Sequence, residues 1–432
     1  MTTATEIKLN EYPQRRLLND EAHARPFEPA TTPGQVSYIA YLNRNVSAEQ
    51  ERWLVGELCA WFRAAPPEPG QVHFSVNLGP LRFKWARHSE FSSFTFSRHG
   101  ESMVPFAGNV LERLPPDWLA QLPGNVLLAT HAVLLAEAEL PVPLEEIGAR
   151  YFDGNDLIGA RIGEGSGTAC TDFRIHADGF SRYLVIDHSM GRRQAGRMLQ
   201  RLLEIDTYRM LAFLALPVAK SISPELTDAD RELAELTTAM SSARQDDEPA
   251  LLDRLTKLAA RIESALSLTD YRFSAAHAYH ELVRRRVGEL RELRIQGVQP
   301  FHEFVERRLG PAMETCESVA RRQRVLAARV ARASSLLRTR VDITHEKQNQ
   351  ALLESMDKRA HLQLRLQETV EGLSVAAITY YTVGLVGYAA KGLKSAGVYV
   401  NPELATGIAI PVVALLVALG LRRMRKALMH EA

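Results

Sequence analysis

Three groups of residues carry the chemistry this sequence offers. Glu21-x-His23-x-Arg25 places an acid, an imidazole and a guanidinium at every second position. In an extended segment all three project to one side. Such a trio either binds an ion or ties an N-terminal arm to its domain through hydrogen bonds. Asp187-His188 follows a strand-like apolar run, where a metal-binding or catalytic pair, or simply a turn, can lie. Ser374, Tyr381 and Tyr388 recur at helical spacing and share one face, which Gln367 and Glu371 continue. Hydroxyls leading to a carboxylate would line a water-filled path if several copies surrounded it, and a ring of Glu371 would attract cations. The same face could instead pack on a second helix, with its tyrosines as interfacial anchors.

Enzyme signatures are missing. There is no HExxH, no GxSxG and no paired-carboxylate or kinase pattern. Gly163-Glu164-Gly165-Ser166-Gly167 lacks the lysine of a phosphate-binding loop and reads as a hairpin turn. The expectation is a protein without catalytic activity. Only a convergent polar cluster around His23 or His188 in a deep pocket would change that. Lys and Arg number 52 against 51 Asp and Glu, so no basic bias points to nucleic acid and none is expected as a partner. Cys59, Cys170 and Cys316 are far apart and odd in number, which argues against a disulfide framework and fits a reducing cytoplasm.

These groups need elements to hold them. After an N-terminal arm (1–34), residues 35–190 mix strand-like runs with one helical pattern. The runs are Gln35–Leu42, Val72–Leu78, Leu81–Ala86, Ser93–Ser97, Val126–Leu135, Leu157–Gly163, Ala169–His176 and Tyr183–Asp187. The helical pattern is Ala48–Arg63. The fold class expected is therefore an α/β domain with a mainly antiparallel sheet. Residues 191–310 read as helices: Arg192–Leu216 stopped by Pro217, Glu225–Arg244 opened by Ser223-Pro224, and a third from Pro249 toward Gly297. The acidic run in the second helix (Glu225, Asp228, Asp230, Glu232, Glu235) is either a solvated face or a cation attractor. From 311 to 372 the chain has no proline or glycine after Pro311 until Gly372, which predicts one long stalk helix. Its apolar seam runs Leu326, Val330, Ala333, Leu337, then Leu352, Met356, Leu366, Val370 and Leu373. An exposed seam requires partners, so a homo-oligomer is expected. The arginines from Arg321 to Arg340 point to acidic protein partners.

Two uncharged apolar stretches close the chain, 373–390 and 404–421. Each reaches about 27 Å as a helix, close to the roughly 30 Å core of a bilayer. They predict two transmembrane helices embedded in a lipid bilayer. Arg422, Arg423, Arg425 and Lys426 form a basic tail (422–432), while the loop 391–403 carries only Lys391 and Lys394. The denser cluster belongs in the cytoplasm, and with two spans the N-terminal domain joins it.

Leu18-Asn19-Asp20-Glu21-Ala22-His23-Ala24-Arg25-Pro26-Phe27 resembles the opening motif of a bacterial family of predicted membrane-anchored proteins of unknown function, along the whole chain. The layout of stalk, first span, short loop, second span and basic tail resembles the CorA-type magnesium and cobalt transporters, best over residues 275–426. Asn349–Ser374 is similar to that family's stalk entry into the membrane, and Pro402-Glu403-Leu404 to its periplasmic loop. The resemblance implies a multi-pass protein of the bacterial inner membrane, a pentamer, a pore along the first span and a divalent cation such as Mg²⁺. Gly387 and Glu403 then mark the pore mouth. That family ends its first span on Gly-Met-Asn, whereas here the place reads Gly387-Tyr388-Ala389. The departure leaves a second expectation open: an anchored, non-transporting sensor or partner-docking protein.

Overall fold

The computed structural model describes residues 10–16, 18–19, 26–100, 104–397 and 399–428. The chain divides into two compact units. One is Met1–Ser241 with Asp253–Ser334, the other Ser242–Leu252 with Ser335–Ala432.

Unit one is built on an eight-stranded sheet. In chain order the strands are β1 (Gly34–Leu42), β2 (His73–Asn77), β3 (Arg82–Arg87), β4 (Phe91–His99), β5 (Asn125–Ala136), β6 (Ile158–Ile162), β7 (Gly167–Thr171) and β8 (Ser181–Asp187). Their spatial order is β2-β3-β4-β1-β5-β8-β7-β6. Every neighbouring pair is antiparallel except β5 with β8. The eight strand-like runs of the sequence all fall on strands. The seventh is shifted, because β7 ends at Thr171 and Asp172–His176 forms the turn beyond it.

Strand alternation divides the sheet into two unlike faces. Phe83 and Trp85 of β3, Phe94 and Phe96 of β4 and Ile39 and Tyr41 of β1 form one face. Helix α1 (Ala48–Trp61) covers it with Leu54, Val55, Leu58 and Cys59, and Trp118 joins the cluster. Glu51 of the same helix is buried there and accepts bonds from Trp85 Nε1 (3.0 Å) and Ser92 Oγ (2.8 Å), with Arg87 at 2.5 Å. Burial pushes the Glu51 carboxyl up despite these partners. The opposite face carries Ser93, Thr95 and Ser97 of β4, Arg82 and Lys84 of β3 and Tyr38 of β1. A short helix, α2 (Ile147–Tyr151), packs near the start of β6.

The helical part departs from the expected boundaries. Helix α3 (Arg192–Phe213) ends before Pro217, and α4 (Ala215–Ser242) contains both Pro217 and Pro224. Pro217 sits in the first turn, where a missing N–H costs nothing, so it opens the second helix rather than stopping the first. Pro224 lies inside α4 instead of capping it. Helix α5 (Glu248–Glu289) ends well before Gly297. A short helix, α6 (Phe301–Arg308), then precedes α7 (Gly310–Ser395), which is 86 residues long. Helix α8 is Pro402–Leu428.

Within unit one the acidic face of α4 is used. Asp230 takes Arg322 (3.2 Å) and Arg329 (2.7 Å) of α7, and Glu232 takes Arg261 of α5. Two arginines of the stretch, Arg322 and Arg329, therefore find an acidic partner in their own chain. Leu326 and Val330 are buried along the same stretch, and Thr269 Oγ1 meets Gln323 Oε1 at 3.0 Å. In unit two, Arg340 pairs with buried Glu248 at 2.6 Å. Beyond it, Leu352, Met356, Leu366, Val370 and Leu373 are all exposed.

Candidate functional site

The hydroxyl face of the sheet is roofed rather than solvated. Helix α3 lies over it with Leu199, Leu203 and Thr207, and the segment Glu28–Ala30 walls one side. Between floor and roof is a cavity of about 300 Å³. Register explains its polar floor. Lys84 pairs with Thr95, Thr95 with Tyr38, Tyr38 with Thr130 and Thr130 with Ser181, so one row of polar side chains crosses five strands. Deeper under the roof the row is tied off: Thr130 Oγ1 meets Ser181 Oγ at 2.8 Å, and Thr207 Oγ1 donates to the Tyr38 hydroxyl at 3.0 Å. Burial raises the Tyr38 phenol far above its ordinary value, so it stays neutral.

The wall is fastened by charge. Glu28 accepts from Ser75 Oγ (2.6 Å) and Arg82 Nε (2.5 Å), and Lys84 Nζ donates to the Pro26 carbonyl (2.5 Å). Burial by itself would raise the Glu28 carboxyl, but Arg82, Ser75 and Lys84 bring it below the usual carboxylate range. Gly196 lets the wall cross α3, since a Cβ there would stand 1.9 Å from the Glu28 carbonyl oxygen. At the far end of the cavity Arg286 pairs with Glu204 at 2.5 Å. His99 lines the near end, its imidazole held below the ordinary value by burial. The sequence reading placed a strand on Ser93–Ser97 but gave its hydroxyl face no role. The signal was present: aromatic and hydroxyl residues alternate through Phe94, Thr95, Phe96 and Ser97, and only the roof was invisible.

His188 does gather a polar cluster. Its Nδ1 lies 2.9 Å from Glu137 Oε2 and its Nε2 2.9 Å from Thr168 Oγ1, beside an open depression that Arg161 also lines. A carboxylate–imidazole–hydroxyl chain can polarise a hydroxyl. Thr168 is the second residue of β7, 3% exposed, and lines the same depression. The chain ties the end of β8 to β7 and to the turn after β5. Asp187 itself accepts from the Met190 backbone N–H at 2.6 Å, an ordinary turn bond. Gly163–Ser166 is the β6–β7 hairpin turn, with positive φ at Gly163, Glu164 and Gly165.

Glu21, His23 and Arg25 lie outside the described residues. The other residues singled out by sequence are in unit two. Tyr381 and Tyr388 are exposed, while Val383 and Ala390 of the same helix are buried. Gly387 lies against α8, where an added Cβ would be 3.2 Å from Thr406 Oγ1. The two tyrosines thus project away from the face that carries Val383 and Ala390. Ser374 Oγ donates to the Val370 carbonyl at 2.8 Å, and Glu371 accepts weakly from Gln367 at 3.5 Å. Glu403 stands in the first turn of α8, its N–H bonded to Asn401 Oδ1 at 3.2 Å. Among the described residues, α7 and α8 contain stretches long and apolar enough to cross a membrane, and no residue of Pro402–Gly420 is buried. The three cysteines are free and buried. Among the described residues no group of three or more His, Cys, Asp or Glu side chains could hold a metal ion.

No curated protein and no solved structure matches this chain. One family does match, over residues 10–428, nearly the whole sequence. The chain belongs to the family described as "Protein of unknown function (DUF3422)".

Proposed function

We propose that the protein is an oligomeric, bilayer-embedded protein of CorA-like architecture that passes cations along a path lined by α7. The supporting observation is the course of that one helix. It packs beside α4 and α5 at its start, then runs as an uncovered helix into an uncharged apolar stretch, and α8 follows. Bare apolar helices in water are costly, at about 25 cal/mol per Å² of exposed apolar surface. Lipid and neighbouring copies remove that cost. The face carrying Ser374, Tyr381 and Tyr388 is then available to a central path, with Glu371 ringing its inner end.

Two spans cannot enclose a path alone, so copy number decides. Native mass of the detergent-extracted protein is expected to show a ring of about five chains. Liposomes holding it are expected to pass Mg²⁺, K⁺ or Na⁺, with Glu371→Lys reducing flux about tenfold or more. A monomer or dimer, or tight liposomes for all three ions, rejects conduction.

A second reading keeps the anchor and drops transport. The absence of Gly-Met-Asn at Gly387-Tyr388-Ala389 and the roofed polar cavity in unit one favour a tethered sensor. Under that reading Glu371→Lys is silent, and changes lining the cavity abolish function.

A further inference from the structure

We propose that the depression at His188 hydrolyses carboxylic esters with an apolar acyl chain, Thr168 being the nucleophile. The inference is separate from conduction, since every residue it uses lies in unit one.

Its first support is the order of contacts. Glu137 Oε2 stands 2.9 Å from His188 Nδ1, and His188 Nε2 stands 2.9 Å from Thr168 Oγ1. The carboxylate draws the ring proton to Nδ1, which leaves Nε2 to accept from the Thr168 hydroxyl. A hydroxyl nucleophile needs this arrangement: a base at hydrogen-bond distance and a third group that orients the base. Topology assembles it. Strands β5 and β8 run parallel and deliver Glu137 and His188 just past their ends, where antiparallel β7 begins with Gly167 and Thr168.

Arg161 supplies the second support. It is the direct cross-strand partner of Thr168. Its backbone N–H and C=O both pair with Leu293 (3.0 and 2.8 Å), so Arg161 and Thr168 form a non-hydrogen-bonded pair. In such a pair the Cα atoms stand about 4.5 Å apart and the side chains share one face. Arg161 is exposed and has no ion pair among the described residues. A guanidinium beside the nucleophile is placed to take the negative charge that forms on a carbonyl oxygen under attack.

The third support is the space. A tie between strands needs no room, yet Thr168, His188 and Arg161 all line an open depression of about 870 Å³. Leu140, Val142, Leu144, Leu293 and Ile295 line it too, and such surroundings suit an apolar acyl chain. The reaction then runs in two halves. Thr168 Oγ1 bonds to the ester carbonyl carbon as its proton passes to His188 Nε2. The carbonyl electron pair moves to the oxygen beside Arg161, then returns and expels the alkoxide, which leaves as the alcohol with the proton from Nε2. Water repeats the sequence on the acyl-threonine, giving the carboxylic acid and restoring Thr168. Glu137 touches no substrate and is a positioning residue.

The test is hydrolysis of p-nitrophenyl butyrate and p-nitrophenyl octanoate by the full chain in detergent, with the adduct of a fluorophosphonate probe located by peptide mass spectrometry. The wild type is expected to turn over at least one ester with saturation kinetics and to carry the probe on Thr168. Thr168→Val keeps the volume and removes the hydroxyl. It is expected to lower kcat/KM about 100-fold or more, as is His188→Gln, while Thr168→Ser retains turnover. Arg161→Gln is expected to lower kcat about 100-fold. Glu137→Gln is expected to lower kcat about tenfold or more with KM nearly unchanged, a split that loss of a purely structural tie does not produce. If Thr168→Val fails to fold, the wild-type adduct decides: on Thr168 it supports the proposal, and elsewhere or absent it overturns it. No turnover of either ester by the wild type, or turnover that survives Thr168→Val or His188→Gln, overturns the proposal.

Discussion

His131 shows how one buried side chain sets the response of unit one to acid. Its Nδ1 lies 2.8 Å from Ser37 Oγ, and its ring stacks on Phe180 with centroids 3.9 Å apart. Burial lowers the imidazole from 6.5 to about 4. The unfolded chain therefore binds a proton between those values that the folded chain refuses. Stability contributed by neutral His131 is whole above pH 6.5 and is lost as pH falls toward 4. The slope is about 1.4 kcal/mol per pH unit, for a total of ~3 kcal/mol. His131→Asn keeps a polar partner for Ser37 and cannot titrate. Melting temperatures followed from pH 7 to 4 are expected to fall less steeply in this variant than in the wild type. Parallel curves would show that the acid response originates elsewhere. None of this was legible in the sequence, where His131 is one of thirteen histidines and nothing local says that Phe180 will cover it.

At the scale of elements, the joint between α5 and the sheet rests on Glu90. The carboxylate, buried in the β3–β4 turn, is gripped by Arg272 of α5 through both oxygens (2.8 and 2.7 Å) and by Arg44 at 3.1 Å. Burial alone would raise this carboxyl, but Arg272 and Arg44 hold it below the usual range. Arg272→Met leaves the buried carboxylate its pair with Arg44, whose side chain is half exposed, and the expected cost is about 3 kcal/mol, above that of an exposed pair. The contribution is complete above 4.5 and disappears as pH falls through the lowered folded value. The gap in melting temperature between wild type and Arg272→Met should accordingly narrow in strong acid. A gap that widens there would refute the assignment. The strands were legible because alternation and turn residues are local signals: Phe94, Thr95, Phe96 and Ser97 announce two faces by themselves. Helix boundaries at Pro217 and Pro224 were not, since a proline opens a helix or sits inside one depending on what packs around it. The pairing of Asp230 with Arg322 and Arg329 spans about a hundred residues, and no periodicity encodes that reach.

For the molecule as a whole, the informative contrast is within α7. Leu326 and Val330 are 1% and 0% exposed, whereas Leu366 and Val370, on the same predicted seam, are 68% and 57% exposed. The sequence treats them alike because seam spacing says only that something must cover the stripe. For the first pair the cover is found inside the chain. The second pair is uncovered within unit two, and these residues lie on the N-terminal side of the stretch that suits a bilayer. Under the proposed function a second copy covers them, since identical helices present identical seams and each buried Leu or Val contributes about 1.5–3 kcal/mol. Leu366→Glu with Val370→Glu sets like charges on the seam of every copy. The pair is expected to reduce the native mass in detergent toward that of one chain, while the melting transition of unit one stays in place. Unchanged mass would mean that the copies, if any, meet elsewhere and that Leu366 and Val370 face lipid. A falling mass with an unmoved transition would locate the assembly contact on α7 and leave the sheet and its cavity as a separately folded part of each copy.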